Sequence, residues 1–312
     1  MGRFSCIILS TLLSTALCAG CWAKTADEIL QRNKKLSDYA ALHEMLDDYK
    51  KSMIWIFIGN SVTQGAWHTY GLRSYEEHLA EIIRWEYKIG EGHRKGDLFI
   101  NAAESGEGTA RFMEKEEWQL GQFNADIVFV YLGNKEASEQ EYQDHLTTIV
   151  EHIRKHGAIP VLEVPCPSPT QTRTFDSVRL VADRQECLLV DHQAYWQELC
   201  GGNGDKAEWK SNALHPNGTG HLVMAHAIVK ELGIELRGSR VLALPIAHMN
   251  QERSEKPNTS PAPRNTESPK KSKPAKDEKN FTGEDARHKY EEILKKKKKK
   301  KNRKTAAVTL GA

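Results

Sequence analysis

Short apolar runs alternate with amphipathic stretches along the middle of the chain. The runs are rich in Val, Ile, Leu and Phe, and they lie at 53–59, 98–101, 127–133, 159–164 and 188–190. Apolar positions recur at a helical period in the segments 74–88, 109–120, 140–156, 175–185 and 218–232. Continuous aliphatic strands separated by helices are typical of a parallel sheet covered on both faces. The pattern therefore predicts one α/β domain with a central parallel sheet over residues 53–244.

The segment before this domain, 24–52, has its own helical pattern. Its apolar residues stand about 3.5 positions apart, which is the spacing of an amphipathic helix. They are Ile29, Leu30, Leu36, Tyr39, Leu42 and Leu46. We expect one or two helices that lie against the body of the domain.

The first residues have the composition of an export signal. Arg3 precedes an apolar stretch over 4–20, and small residues follow at Ala19, Gly20 and Ala23. An apolar stretch of this length suits a secretory signal over residues 1–23 better than a membrane span, which needs about 20 apolar residues. The run that ends at Cys21 also resembles a bacterial lipobox. The prediction is a secreted or periplasmic protein, with lipid attachment at Cys21 as the alternative.

Beyond residue 244 the composition changes. Residues 245–312 contain repeated prolines among Ser, Thr, Asn, Lys and Glu, and seven consecutive lysines occupy 295–301. Such a segment has too few apolar residues to form a core, so a disordered tail is predicted. Residues 251–312 have a net charge of +10 and residues 1–250 a net charge of −8. An acidic body argues against specific nucleic-acid binding. The basic tail is interpreted as a solvated segment or as a weak ligand of anionic envelope polymers.

Cysteine usage gives no sign of a disulfide framework or a zinc site. Once the signal is removed, the body contains Cys166, Cys187 and Cys200. This odd and widely spaced set includes no CxxC pair and no close Cys/His cluster. We expect buried thiols with one bridge at most.

Two motifs carry candidate chemistry. Ser61 follows the first predicted strand directly, in the run Gly59-Asn60-Ser61. In an open parallel sheet, ligands bind beyond the carboxyl ends of the strands, which is where this serine would lie. His215 stands in a loop just before the last predicted helix. A histidine in reach of a serine hydroxyl is a general base, so the pair predicts a serine hydrolase.

Four short blocks together resemble the SGNH, or GDSL-type, hydrolase family over about residues 53–235. The blocks are Ile58-Gly59-Asn60-Ser61, Asn101-Ala102-Ala103-Glu104-Ser105-Gly106, Tyr131-Leu132-Gly133-Asn134-Lys135-Glu136 and Asn212-Ala213-Leu214-His215-Pro216-Asn217. Their order, spacing and position after predicted strands all match the family. The segment Trp67-His68-Thr69 is similar to a subgroup of exported bacterial esterases within it.

The resemblance implies a three-layer α/β/α sandwich that hydrolyses acyl esters without a metal or cofactor. Ser61 would attack the ester carbonyl, and His215 would take the serine proton. The oxyanion would be bound by the backbone N–H groups of Ser61 and Ala103 and by an asparagine side chain from the third block. His68 would line the cleft, as a substrate contact or as a structural hydrogen-bond partner.

Three positions depart from the family pattern. Ala103 replaces a glycine, which leaves a backbone donor in place. In the third block Lys135 stands in the asparagine position, so Asn134, Lys135 or neither could supply the oxyanion donor. Asn212 replaces the aspartate that orients the histidine, an exchange that favours the wrong imidazole tautomer in a serine protease. Asp205 or Glu208 could supply the acid instead, or a Ser-His pair could suffice.

Two functions follow from this sequence. The first is a serine esterase that cleaves O-acyl esters, O-acetyl esters among them, on a carbohydrate or another small acylated substrate. The second is an SGNH-fold binding or scaffolding protein of the cell envelope that has lost turnover through the three departures.

Overall fold

The computed structural model describes residues 25–87, 94–133, 135–136, 138–168, 172–200 and 207–236. The predicted signal, Cys21 and the Lys-rich tail lie outside these residues, so the corresponding expectations and the domain boundaries stay predictions. Among the described residues, no helix is both long and apolar enough to cross a membrane.

Five parallel strands form one sheet, as predicted. Their order across the sheet is β2-β1-β3-β4-β5. The first strand, β1, therefore lies inside the sheet, and the first crossover leads to the edge strand β2. The strands are β1 (Ile54–Gly59), β2 (Leu98–Asn101), β3 (Ile127–Tyr131), β4 (Ile159–Val164) and β5 (Leu188–Asp191). Both neighbours of β1 run parallel to it, so the carboxyl ends of β1, β2 and β3 meet at one edge.

Helices cover both faces of this sheet. They are α1 (Ala26–Asn33), α2 (Ser37–Asp47), α3 (Ser61–Gln64), α4 (Tyr75–Glu86), α5 (Thr109–Met113), α6 (Glu139–Lys155), α7 (Thr172–Arg184), α8 (His192–Leu199) and α9 (Gly218–Glu231). One core joins α4, α8 and α9 to the sheet, and a second core joins α5, α6 and α7 to the opposite face. The three-layer α/β/α sandwich is therefore confirmed.

The alternation of side chains along β1 explains why two cores form. Trp55 and Phe57 point into the first core, whereas Ile56 and Ile58 point into the second, because successive side chains of a strand face opposite ways. Phe57 stacks on Phe129 of the neighbouring strand with ring centroids 4.6 Å apart. Burying each such side chain contributes about 1.5–3 kcal/mol.

The N-terminal segment forms two helices against the body, as predicted. The side chain of Asn33 both donates to Leu189 O and accepts from Leu189 N, at 2.8 and 3.1 Å. It thereby satisfies backbone groups on the edge strand β5. The buried Arg94 donates to the carbonyls of Met45 and Leu46 near the end of α2, and to Asp97. These bonds fix the entry to β1.

One local detail differs from simple periodicity. The continuous helix predicted over 109–120 is divided into α5 and a π-helical turn, Glu117–Gly121. The turn brings the polar Gln119 inward, where its Nε2 donates to Ala102 O and Glu107 Oε2. Asp191 caps α8 by accepting from Ala194 N. Of the described cysteines, Cys166 and Cys187 are buried and Cys200 is partly exposed.

Candidate active site

Ser61 is the first residue of α3 and lies at the carboxyl end of β1. Asn60 caps this one-turn helix, with its Oδ1 accepting from Val62 N at 3.0 Å. The turn needs a glycine at position 59, since a Cβ there would lie 2.2 Å from Thr63 Oγ1 and 2.8 Å from Tyr131 O. The glycine thus allows the chain to pass from strand to helix in a single residue, which places the serine side chain at the carboxyl edge of the sheet.

His215 reaches this serine from a loop that is closed on itself. Ser211 N donates to His215 O, and Asn217 N donates to Trp209 O, at 3.0 and 2.9 Å. Asn217 also caps α9 through Gly220 N. The loop holds the imidazole so that its Nε2 lies 2.8 Å from Ser61 Oγ. The sequence had placed these two side chains together, and the structure brings them within hydrogen-bond distance.

Asn212 lies where an orienting acid is expected, and its geometry selects the imidazole tautomer that a general base needs. Its Oδ1 accepts from the backbone N–H groups of Leu214 and His215, both at 2.9 Å, and lies 3.0 Å from His215 Nδ1. Two backbone donors on one oxygen fix the orientation of the amide, so that oxygen, not nitrogen, faces the ring. His215 Nδ1 must then carry the proton, which leaves the Nε2 lone pair to accept from Ser61.

The His68 ring lies directly on one face of the His215 ring. The two imidazoles stack with centroids 3.6 Å apart and planes 10° apart. His68 Nδ1 is 3.5 Å from both Ser211 Oγ and Asn212 Nδ2, the outer limit of a hydrogen bond. His68 therefore belongs to the same group of side chains, which we call the outer cluster: Ser61, His68, Asn212 and His215.

Electrostatics favour a neutral base in this cluster. Burial lowers the pKa of His215 below its ordinary 6.5, and the adjacent His68 lowers it further. Burial also lowers the pKa of His68. Both imidazoles are consequently unprotonated at neutral pH, the form in which Nε2 of His215 can accept a proton.

The predicted oxyanion donors have different surroundings. Ala102 N and Glu104 N donate to β1 carbonyls, which turns the Ala103 N–H the other way, onto Asn101 Oδ1 at 3.2 Å. A substrate oxyanion would have to share or displace that bond. The N–H of Ser61 lies in the first turn of α3, where backbone donors lack helical partners. The side chain of Asn60 accepts from Val62 N and not from Ser61 N. Among the described residues, the Ser61 N–H therefore keeps its capacity to bind a ligand.

Lys135 and its neighbours serve mainly to join two loops. Lys135 Nζ donates to Gly106 O, and its alkyl chain packs on Gly108, where a Cβ would lie 3.3 Å from Lys135 Cδ. The carboxylate of Glu136 accepts from Thr109 Oγ1 and from Lys135 N. Burial alone would raise the pKa of Glu136, but these donors hold it below its ordinary value. Asn134 lies outside the described residues, so the third donor stays unassigned.

Of the two alternative acids, Asp205 lies outside the described residues. Glu208 is exposed, and its carbonyl accepts from Asn217 Nδ2 at 2.7 Å. The side chain that the structure places against His215 Nδ1 is that of Asn212.

A second polar group lies beneath the first and was not anticipated from the sequence. Tyr75 OH lies 3.1 Å from Thr63 Oγ1 and donates to Glu163 Oε2 at 2.9 Å. His192 Nε2 is 2.8 Å from the other oxygen of Glu163. His221 Nδ1 accepts from Tyr75 N at 3.2 Å. We call these five residues the inner cluster. They are scattered from 63 to 221, and no local spacing relates them.

Comparison with known proteins agrees with this architecture. The model of the GDSL-like lipase/acylhydrolase family matches residues 57–223, which is 167 of the 312 residues. A search of curated protein sequences finds no match. Among solved structures, the acetylxylan esterase Axe2 of Geobacillus stearothermophilus superposes with a TM-score of 0.51 at 20% identity, over 60% of this chain and 97% of that one.

A GDSL-like lipase structure from Parabacteroides merdae gives a TM-score of 0.50 at 15% identity, over 59% of this chain and 97% of the other. At such identities the structural likeness supports the fold alone. The family match covers more than half of the chain and spans the first, second and third blocks and the closing His215 loop. The chain belongs to the GDSL-like lipase/acylhydrolase family of ester-bond hydrolases.

Proposed function

We propose that this protein is a serine esterase that uses Ser61 as nucleophile and His215 as general base. The single observation that supports the proposal most is the 2.8 Å separation of Ser61 Oγ and His215 Nε2, with Asn212 Oδ1 at the far nitrogen of the ring. General-base assistance of this kind contributes about 10²–10⁴-fold to a rate.

In the proposed reaction, Ser61 Oγ bonds to the ester carbonyl carbon as its proton passes to His215 Nε2. The tetrahedral oxyanion faces the N–H of Ser61. Collapse breaks the bond to the alcohol, which leaves with the proton from His215. A water molecule then attacks the acyl-serine as His215 accepts its proton, and collapse breaks the bond to Ser61 Oγ, which receives that proton from His215 as the acid is released. Asn212 Oδ1 accepts from the Nδ1–H throughout, which keeps the ring oriented.

For the substrate we propose short O-acyl esters, acetyl esters in particular, on carbohydrates. The reasons are the resemblance of the Trp67-His68-Thr69 segment to exported bacterial esterases and the acetylxylan esterase name of the Geobacillus structural neighbour. We also propose that the protein is exported, with lipid attachment at Cys21 as the alternative, and that the tail binds envelope polymers weakly. The sequence alone supports these proposals.

The test is hydrolysis of p-nitrophenyl acetate and of O-acetylated oligosaccharides by the full chain and by Ser61→Ala. The wild type should release acetate, and Ser61→Ala should lose the activity while its melting temperature stays the same. Ser105→Ala is the matched control, because Ser105 is an exposed serine on the adjacent loop whose Oγ is bound to Gln64 Oε1. Equal inertness of wild type and Ser61→Ala would favour the binding-protein alternative.

A further inference from the structure

The loop between α3 and α4 exposes three large side chains beside the outer cluster. They are Trp67, Tyr70 and Leu72, with 82%, 79% and 65% of their surface accessible. Among the exposed large apolar side chains of the described residues, these three have the highest accessibility. Contiguous exposed apolar groups usually mark a site of interaction. We refer to these three residues as the aromatic ridge.

The backbone of this loop is held in an unusual conformation. Trp67 and Tyr70 have positive φ angles of 22° and 54°, a region that bulky residues rarely occupy. The loop is fixed from within, because the buried Thr69 donates its hydroxyl to Gly65 O and Tyr70 N donates to Trp67 O, at 3.3 and 3.0 Å. The rings are thus displayed by a turn-rich, internally bonded loop. An uncommon conformation that keeps aromatic rings in solvent points to a function for those rings.

The ridge is continuous with the proposed catalytic pair. His68, which stacks on His215, follows Trp67 directly, and the Trp67 and His68 ring centroids are 5.4 Å apart. At the other end, Leu72 packs on the start of α9, where a Cβ on Gly218 would lie 2.4 Å from Leu72 Cδ1. The ridge therefore flanks the loop that carries His215. A ligand on the ridge would therefore lie next to an ester group bound at Ser61.

We propose that the aromatic ridge binds a sugar ring of the acylated carbohydrate, with the ring stacked on Trp67 and flanked by Tyr70. This inference rests on the proposed function, whose substrate class it deepens. The face of an aromatic ring carries partial negative charge and packs well against the polarised C–H groups on the face of a sugar. A stacked sugar keeps its hydroxyl groups at the edge, in water.

The charge beside the ridge favours a sugar over an anionic lipid surface. Two of the three members of the ridge, Trp67 and Tyr70, are rings with a polar edge, an indole N–H and a hydroxyl, which can donate to the hydroxyl groups of a sugar. Arg73, the basic residue that follows Leu72, is paired with Glu81 at an N–O distance of 3.4 Å. A loop that binds anionic lipid would present basic side chains that are not neutralised in this way.

The test compares two substrates that share an acyl group but differ in the alcohol. For wild type, Trp67→Ala and Tyr70→Ala, kcat/KM is measured on p-nitrophenyl acetate and on O-acetylated xylo-oligosaccharides. The ratio of the oligosaccharide value to the p-nitrophenyl value should fall at least about tenfold in Trp67→Ala, mainly through KM, and by less in Tyr70→Ala. Trp67→Phe should restore most of it, since a phenyl face also stacks.

Trp85→Ala is the matched control. Trp85 is 50% exposed and lies on α4 ten residues beyond Tyr75, which is about 15 Å along the helix from the end of the loop. Its replacement should leave the substrate ratio unchanged. A ratio that is unchanged in Trp67→Ala as well would overturn the proposal, as would an equal loss on both substrates.

A binding experiment separates the ridge from the proposed catalysis. Calorimetric titration of Ser61→Ala with the same acetylated oligosaccharides should detect binding. The double variant, with Ser61→Ala and Trp67→Ala, should bind them at least about tenfold more weakly. Binding that depends on Trp67, combined with a wild type that hydrolyses none of these esters, would sink the esterase mechanism and leave the ridge in place. Hydrolysis and binding that ignore Trp67 would do the reverse. Sedimentation with phosphatidylglycerol vesicles that is lost in Trp67→Ala, without oligosaccharide binding, would assign the ridge to lipid and overturn the proposal.

Discussion

The outer and inner clusters contain similar side chains in contrasting surroundings. The one-turn helix α3 joins them, because Ser61 points to the surface and Thr63 points into the core. His215 is half-buried, and burial and the adjacent His68 lower its pKa from the ordinary value. His221 is almost fully buried, and burial above all lowers its pKa to about 3. The histidine beside Ser61 can exchange protons with solvent, whereas the one beneath stays neutral and serves as a hydrogen-bond acceptor.

The bonding of the Glu163 carboxylate separates the clusters further. Both oxygens of Glu163 are occupied, one by Tyr75 OH and the other by His192 Nε2, and all three side chains are buried. In the outer cluster, Ser61 is only partly buried, and its Oγ lies 2.8 Å from His215 Nε2. The comparison teaches that burial, and not residue type, decides which Ser, His and acidic groups could react and which ones hold the fold.

The largest contrast is expected from the same substitution in each cluster. His215→Gln should reduce kcat by about 10³–10⁴-fold, since the general base is lost, with little change in melting temperature. His192→Gln should keep activity within a few-fold but lower the free energy of unfolding by about 1–3 kcal/mol, because a buried bond to Glu163 is weakened. Esterase kinetics and thermal denaturation of both variants test this contrast. The opposite assignment of effects would break the comparison.

Removing the acid of the inner cluster should lower stability more than His192→Gln does. Glu163→Ala leaves Tyr75 OH and His192 Nε2 without their acceptor in the core, for an expected loss of about 3–5 kcal/mol. Urea unfolding measures it. Glu104→Ala is the control: Glu104 is a partly exposed glutamate paired with Arg111 and Lys115, and water screens such pairs, so the urea midpoint should change little. Similar losses in both variants would contradict the structural role of the inner cluster.

Asn212 tests the orientation of the base. Asn212→Ala should lower kcat about 10–100-fold, because His215 Nδ1 loses its acceptor. Asn212→Asp should raise kcat, because a carboxylate stabilises the imidazolium formed on attack. The gain should be far smaller than the roughly 10⁴-fold associated with this exchange in serine proteases, since Asn212 already fixes the productive tautomer. A loss of activity in Asn212→Asp would mean that the amide itself is required, for example towards His68.

The pH profile should show the smallest effect. A base must be unprotonated, so kcat/KM should fall as pH decreases through the pKa of His215. The midpoint of that acid limb should lie below 6.5, because burial and His68 both lower the pKa. His68→Phe keeps a stacked ring but removes the neighbouring titratable group, so it should move the midpoint up. A downward shift would contradict the electrostatic role of His68.

The strands and the meeting of Ser61 with His215 could be predicted because they depend on periodicity and on a topological rule. Parallel strands present their carboxyl ends at one edge, and residues after those ends must lie near one another. The cap at Asp191 follows from a local preference for short polar side chains.

Other features could not be predicted because they depend on tertiary geometry. His68 stacks on His215 from a loop in which Trp67 and Tyr70 have positive φ angles, a conformation that neither residue type signals. The orientation of Asn212 depends on two backbone donors that only the folded loop supplies. The engagement of Ala103 N–H by Asn101 likewise cannot be seen from a motif. In each case a neighbour that is set by the fold, and not the residue itself, determines what the residue can do.

The central claim, that Ser61 is the nucleophile activated by His215, is tested most directly by covalent labelling. A fluorophosphonate probe reacts when a serine oxygen attacks phosphorus, fluoride leaves and a base takes the proton. Mass spectrometry of the labelled full chain should find one adduct on the peptide that contains Ser61, and His215→Gln should slow its formation at least about 10²-fold. Ester hydrolysis by a protein that forms no adduct at Ser61, or labels equally fast without His215, would contradict the account.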